Sequence, residues 1–243
     1  MPYIEETCIA GQTIEVRKYY SVRWHCKGEK RQAKEKPTDE SAAKINQRNA
    51  ERDLRRLMNA NFVDGDYLVR MDFHNRPSGS EEMQELMAKF IRKLRRELNK
   101  VGQELKYIYV KEVGPRGSRH IHALIKKCDT DILRKCWPYG GIHIDPLNSD
   151  GQYGKIAAYF IKYAGRTEQT EERLIGKRWY GSRNLEKPKV KKKVVKSNTF
   201  RKSVKEKNGY YLDKDSVQYG VTDMGYEFFS YTLIKTDQQT RGR

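Results

Sequence analysis

The chain of 243 residues is long enough for one large domain, or for one domain with appendages. Hydrophobic residues make up 37% and charged residues 34% of the chain, so a core can form beneath a strongly charged surface. The formal net charge of +18 indicates a polyanionic partner, for which nucleic acid is the simplest candidate. The sequence contains neither an apolar run that could span a bilayer nor a basic amphipathic anchor, and we expect no membrane partner.

The four cysteines do not form a metal-binding or disulfide pattern. Cys8, Cys26, Cys128 and Cys136 lack CxxC and zinc-knuckle spacing. No secretory signal peptide is recognisable at the start of the sequence. We therefore expect reduced thiols in a cytoplasmic protein.

The first 61 residues predict a hairpin followed by a helix. Strand-like runs at 3–9 and 13–20 are separated by the short segment AGQ, which predicts the hairpin turn. A charged, proline-containing loop follows. Apolar residues at helical spacing then predict a helix over 39–60.

Residues 62–190 predict an α+β domain, and residues 191–243 predict a basic linker with a small β extension. The central elements follow a β-α-β-β-α-β-α order: a strand within 64–73, a helix over 80–100, strands at 104–113 and 118–127, a helix at 129–136, a strand at 140–147 and a helix over 152–165. The two strands around GPRG form an antiparallel hairpin. The segment GKRWYGSRNLEKP predicts one more strand, and KPKVKKKVVK is a basic run.

Two histidines flank one isoleucine in the segment HIH. Because side chains alternate along a strand, His120 and His122 lie on the same face. In a hairpin that turns near Arg116, Glu112 is placed opposite His120 on that face, within about 5.5 Å at Cβ. Two imidazoles and one carboxylate with open positions are typical of a catalytic metal site and suit Mn²⁺ or Mg²⁺, while Zn²⁺ is not excluded. The alternative is a pair of structural histidines hydrogen-bonded to their neighbours.

The segment GQYGKIAAYFIKYAGRT predicts a helix with two different faces. One arc is apolar and contains Ile156, Ala157, Phe160, Ile161 and Ala164. The opposite arc contains Lys155, Tyr159, Lys162, Tyr163 and Arg166. A helix that buries its aliphatic side in this way presents two tyrosines one turn apart, framed by cations.

Tyr159 lies in the middle of the cationic arc, whereas Tyr163 borders the apolar one. A phenol with a pKa near 10 is protonated at neutral pH and needs assistance to act as a nucleophile. Nearby cations favour the phenolate and hold phosphate oxygens. We therefore predict Tyr159 as the nucleophile and Lys162 as its partner. The alternative is a solvated basic helix with two surface tyrosines.

Together, the HIH segment, Glu112 and the segment YFIKY resemble the HUH endonucleases, and among them the two-tyrosine rolling-circle replication initiators of single-stranded DNA phages and plasmids. The resemblance covers about residues 62–190. It implies a central antiparallel sheet of about five strands with flanking helices. The segment YLVRMDF lies where the family has its first motif, but it lacks the threonine-rich sequence usual there. The tyrosines follow the histidines in the chain, as in initiators and unlike conjugative relaxases.

The resemblance implies metal-dependent, site-specific nicking and joining of one DNA strand through a 5′-phosphotyrosyl intermediate, which initiates rolling-circle replication. Glu112, His120 and His122 would hold the metal. Tyr159 would attack the scissile phosphate and Tyr163 would take a second transfer. Lys162 would neutralise the phosphate or steady the phenolate. The cations expected to hold DNA are Lys155, Arg166, Arg116 and Arg119.

The implied partners are a single-stranded replication origin and the helicase and polymerase of a bacterial host cell, in whose cytoplasm the protein would act. The sequence lacks the GxxxxGK[ST] phosphate loop of a helicase motor. His143 is expected to be structural or to contact DNA locally. Two other classes stay open: an HUH transposase or relaxase of a mobile element, and a non-catalytic RNA- or DNA-binding regulator.

Overall fold

The computed structural model describes residues 2–21, 40–114, 117–148, 152–166, 177–197 and 199–236. The elements in these ranges are β1 (Tyr3–Ala10), β2 (Thr13–Tyr20), α1 (Glu40–Asn61), β3 (Tyr67–Asp72), α2 (Ser80–Lys100), β4 (Tyr107–Val113), β5 (Arg119–Ile125), α3 (Thr130–Cys136), β6 (Ile142–Pro146), α4 (Gly154–Arg166), β7 (Tyr180–Gly181), β8 (Lys189–Val195), β9 (Tyr210–Val221) and β10 (Glu227–Lys235). The chain divides into two compact units. One consists of Met1–Asn46 and Lys187–Arg243, and the other of Gln47–Glu186.

The unit Gln47–Glu186 is built on a five-stranded sheet in the order β6-β3-β5-β4-β7. Every pair of neighbouring strands in it is antiparallel. The prediction of an α+β fold with a central antiparallel sheet of about five strands is confirmed. The hairpin of β4 and β5 is also confirmed, and its turn includes Gly117, whose φ of 75° is a conformation that favours glycine.

Helices pack on both faces of this sheet because its strands alternate. Helices α2 and α3 cover one face, against side chains that include Met71, Tyr109 and Ile121. Helices α1 and α4 cover part of the other face, against Ile108 and Leu124. Helix α2 has the bounds predicted from its apolar spacing, because the side chains of its buried stripe recur every three or four residues: Met83, Met87, Phe90, Ile91, Leu94 and Leu98.

Helix α4 has the two faces predicted from its sequence. Ala157, Phe160 and Ile161 are buried on the apolar side. On the opposite side Tyr159 is exposed and Tyr163 is half-buried. The apolar side therefore fixes the helix on the sheet, and the tyrosines lie on its other side.

Replacing Phe160 by Ala should lower the free energy of unfolding by about 3–5 kcal/mol, because the ring is fully buried and its loss leaves a cavity. Urea denaturation followed by circular dichroism measures this change. The control is Val63→Ala, at a side chain that is 52% exposed, with an expected change of no more than about 0.5 kcal/mol. A Phe160 variant as stable as this control would contradict the packing described.

The other unit is a five-stranded antiparallel sheet in the order β8-β1-β2-β10-β9. Its strands β1 and β2 form the predicted N-terminal hairpin. Residues 191–195, predicted to lie in a basic linker, instead belong to strand β8, which pairs with β1 along seven residues. The hairpin and the C-terminal strands thus share one sheet, which differs from the predicted division at residues 1–61, 62–190 and 191–243. Pairing between segments so distant in sequence has no local signature.

Helices in the described ranges all fall short of the length and apolar character needed to cross a membrane. Cys8, Cys128 and Cys136 are buried thiols. Burial raises the pKa of the Cys128 thiol to about 11, with a smaller contribution from Asp129. Cys26 lies outside the described residues.

Candidate active site

Four neighbouring strands bring polar side chains to one end of the sheet face that α1 and α4 cover. Glu112 on β4 is directly opposite His120 on β5, as predicted. Asp72 on β3 lies opposite His120 from the other side. His122 shares this face with His120 because the two are separated by one residue. The alternation along these strands therefore places the carboxylates and the imidazoles together.

The two histidines are hydrogen-bonded to different carboxylates. His122 Nε2 lies 2.5 Å from Glu112 Oε2, and both side chains are buried. His120 Nδ1 lies 2.6 Å from Asp72 Oδ1, and its Nε2 lies 3.0 Å from Ser118 Oγ. Glu112 is thus the strand partner of His120, but its carboxylate is hydrogen-bonded to His122.

This arrangement differs from the predicted convergence of three ligands on one point. Within the described ranges, no three His, Cys, Asp or Glu side chains are placed as a ready metal site. The donor set nevertheless suits a divalent cation. When His120 Nδ1 donates to Asp72, its Nε2 is left with a lone pair, and histidines that bind metals are commonly oriented by a carboxylate in this way.

Asp72 is held by the loop that follows α3. Its backbone N–H donates to the carbonyl of Gly141 at 2.8 Å, and its own carbonyl accepts from Trp137 Nε1 at 3.1 Å. A Cβ at Gly140 would collide with the backbone of Asp72, so only glycine allows this approach. The loop therefore fixes the end of β3, from which the Asp72 carboxylate reaches His120.

Two more basic side chains surround Asp72. Arg70 Nη2 lies 3.3 Å and His143 Nε2 lies 3.4 Å from Asp72 Oδ2. Arg70 is opposite His122 on one side and His143 on the other, so it occupies the middle of the polar face. His143 is largely exposed, which favours a role on this surface over a role in the core.

Both tyrosines of α4 lie beside His122. The ring centroids of His122 and Tyr159 are 5.4 Å apart, and those of His122 and Tyr163 are 6.2 Å apart. The two phenol rings are separated by 4.3 Å. The histidine strand and the tyrosine helix therefore meet at His122, where the sequence predicted that they would come together.

Burial raises the pKa of Tyr159 to about 12, and the negative charge of Glu112 and the neighbouring Tyr163 add to this effect. The charge of Arg70 acts in the opposite direction. The prediction that nearby cations would favour the phenolate is wrong for this environment, because desolvation and the carboxylate outweigh them. The cation that lowers the pKa of this phenol is Arg70, which the sequence did not predict.

The other predicted basic residues are placed differently from one another. Lys155 and Lys162 are exposed on the tyrosine side of α4. Arg119 is only 8% exposed and occupies an odd position of β5, so it faces away from the histidines. The structure therefore does not place Arg119 at the predicted DNA surface. Arg116 and the side chain of Arg166 lie outside the described part of the chain.

Asp72 and Arg70 are site residues that sequence reasoning did not name. Both belong to the strand YLVRMD and lie two residues apart, so they share a face. The register of β3 against β5 is what places them beside the histidines. The sequence signal that could have identified them is their alternation with the apolar Val69 and Met71, which are buried on the opposite face of the strand.

Residues 67–168 match the family of the replication-associated protein ORF2/G2P. The matched region runs from β3 to just beyond α4 and contains all of the carboxylates, imidazoles and phenols described above. No curated protein and no solved structure matches the chain. The match covers less than half of the 243 residues and supports a protein of the replication-initiator type that acts on DNA.

Proposed function

We propose that this protein nicks and rejoins one strand of DNA at an origin through a covalent phosphotyrosyl intermediate, and so initiates rolling-circle replication in the cytoplasm of a bacterial host. The observation that supports this most directly is the position of the Tyr159 and Tyr163 rings beside His122, which is paired with Glu112. The proposed nucleophiles thus lie beside two of the proposed metal ligands.

Tyr159 is the proposed nucleophile because it is the more exposed phenol, at 38%. Its Oη attacks the scissile phosphorus and forms a phosphotyrosyl bond to the 5′-phosphate of the downstream fragment. The bond from phosphorus to the 3′-oxygen breaks, and this oxygen takes up a proton as the phenol loses one. The resulting 3′-OH primes a host polymerase, while a helicase supplied by the host unwinds the duplex.

Tyr163 is the proposed acceptor of the second transfer. Its ring is 4.3 Å from that of Tyr159, so both phenols can be presented to the same site without a change of fold. Tyr163 Oη would attack the phosphate of the regenerated origin, lose its proton to the departing 3′-oxygen and so free the 3′-OH of the displaced strand. This 3′-OH would then attack the Tyr159 phosphotyrosine, restore the phosphodiester and release the phenol of Tyr159, which regains a proton. A pair of nucleophiles suits an enzyme that must cut again before the first strand is released.

Arg70 and the two lysines of α4 are proposed to hold the phosphate. The charge of Arg70 lowers the pKa of Tyr159 and therefore favours the ionised phenol that attack requires. Arg70 is ion-paired with Asp72 at 3.3 Å but half-exposed, so its guanidinium can also reach incoming DNA. Lys155 and Lys162 remain proposed DNA and phosphate contacts on the exposed side of the helix.

Glu112, His120 and His122 are the proposed ligands of a divalent metal, Mn²⁺ or Mg²⁺. An ion held by these residues would supply polarisation of the phosphate and stabilisation of the charge that develops on it. Glu112 Oε2 and His122 Nε2 are hydrogen-bonded to each other at 2.5 Å, and a bound cation would take the place of this hydrogen bond. Neutralising Glu112 would also remove one of the charges that raise the pKa of Tyr159.

The proposal is tested by incubating the protein with Mn²⁺ and single-stranded DNA carrying the origin region of its own replicon. A DNA-linked species should persist on a denaturing gel, and the opposite fragment should end in an extendable 3′-OH. EDTA should prevent both. Wild-type protein that forms no linked species with any strand of the origin would contradict the mechanism.

A further inference from the structure

The unit made of Met1–Asn46 and Lys187–Arg243 carries a concentrated positive charge that the proposed active site does not use. Residues 187–207 include ten Lys and Arg residues and a single acidic residue, Glu206. Strand β8 supplies Lys189, Lys191, Lys192 and Lys193, all of which are exposed. Residues 187–207 therefore contribute half of the net positive charge of the whole chain.

Strand β8 arranges three of these lysines in a row. Lys189, Lys191 and Lys193 are two residues apart, so they share one face at a spacing of about 6.6 Å. The residues opposite them on β1 are Ile9, Thr7 and Glu5. Only the last of these is acidic, so the row is largely uncompensated. Its spacing is comparable with that of successive phosphates along a nucleic-acid strand.

Glu5 is the acidic residue of β1 opposite the row, and the surrounding cations dominate it. Although burial by itself would raise its pKa, a hydrogen bond from Lys193 and the charges of Lys205, Lys193 and Lys18 lower it. Lys193 and Lys205 lie 3.0 Å and 3.8 Å from its two oxygens. Both lysines are largely exposed, and ion pairs of this kind contribute little to stability. A phosphate can therefore compete for them.

The segment after β8 is held on the same sheet. The ring of Phe200 packs edge-on against Tyr3 at 5.2 Å, and Lys18 Nζ donates to the carbonyl of Arg201 at 2.7 Å. The backbone N–H of Lys205 donates to Tyr231 Oη at 3.1 Å. These anchors fix the backbone, so the exposed cations of the segment belong to an ordered surface.

We infer that this row, with the anchored segment beside it, binds the phosphate backbone of duplex DNA, separately from the nicking site. The inference rests on the proposed function only in taking DNA as the polyanion. A duplex suits this surface better than a single strand, which is generally held by stacking its bases on exposed aromatic rings. The aromatic rings beside the row, Tyr3 and Phe200, are half-buried and packed against each other.

The test measures binding alone, in EDTA, by fluorescence anisotropy with a 30-base-pair duplex and the matching single strand. The triple variant Lys189→Gln, Lys191→Gln, Lys193→Gln should bind the duplex more weakly than wild type. Its slope of log K against log salt should be shallower by about 2 to 3, because each lost phosphate contact removes about 0.9. Replacing the same three lysines by Arg should retain the wild-type slope.

The matched control is Lys89→Gln, Lys126→Gln, Lys127→Gln, which removes the same charge from exposed positions of the other unit. Circular dichroism checks that each variant is folded. A β8 variant with the same slope as this control would overturn the inference, and a larger loss of single-strand than duplex binding would overturn the choice of duplex. The metal-dependent adduct with single-stranded DNA is assayed separately, so failure of the nicking proposal remains distinguishable.

Discussion

Replacing Tyr159 by Phe should abolish the metal-dependent covalent adduct with origin DNA. The change removes the attacking Oη and keeps the ring that packs 4.3 Å from Tyr163 and 5.4 Å from His122. Folding and DNA binding should therefore remain close to wild type. The measurement is a denaturing gel of protein incubated with Mn²⁺ and end-labelled single strands.

Two further tyrosine variants make this result interpretable. Tyr219→Phe, at a phenol that is 72% exposed in the other unit, should form the adduct as wild type does. Tyr163→Phe should form the first adduct but fail to make the second cut, so the displaced strand should not be released as a circle. Undiminished adduct in the Tyr159 variant would instead assign the first attack to Tyr163.

Replacing Glu112 by Gln should weaken Mn²⁺ binding more strongly than replacing Asp72 by Asn. Glu112 is buried, is opposite His120 and contacts His122, so its carboxylate is the charged member of the proposed ligand set. Asp72→Asn changes the partner that orients His120 and removes the charge paired with Arg70 and His143, and it should weaken binding by about 10- to 100-fold. Electron paramagnetic resonance of free Mn²⁺ during a titration measures both affinities without DNA.

Glu81→Gln provides the control for this comparison, because Glu81 is an exposed carboxylate in the first turn of α2. It should bind Mn²⁺ as wild type does. Thermal unfolding in EDTA should show that all three variants are folded. The ligand assignment is wrong if the Glu112 variant retains wild-type affinity while the protein as a whole binds one Mn²⁺.

Local sequence was sufficient for the elements of the central sheet. The apolar stripe of α2 repeats at helical spacing through its whole length, and the structure begins and ends this helix at the predicted residues. The opposition of Glu112 and His120 also followed from sequence, since a tight hairpin fixes the register of its two strands. Alternation should likewise have placed Arg119 on the face of Ile121, away from His120.

Pairings between distant strands were beyond local reasoning. The segment KVKKKVV has the composition of a solvated linker, yet β1 supplies it with backbone partners more than 170 residues earlier in the chain. Asp72 and Arg70 become site residues only because β3 pairs with both β5 and β6. Backbone hydrogen bonds carry no side-chain signature, so neither pairing could be predicted from one strand alone.

By itself, the sequence determined the amphipathic face of α4, the shared face of His120 and His122 and the position of Glu112, because each depends on periodicity within a short segment. Tertiary structure alone decided which carboxylate each histidine contacts and which cation acts on Tyr159. It also decided that the pKa of this phenol is raised. Burial and contact depend on segments that meet only after folding, and electrostatic effects follow distance in space, not along the chain.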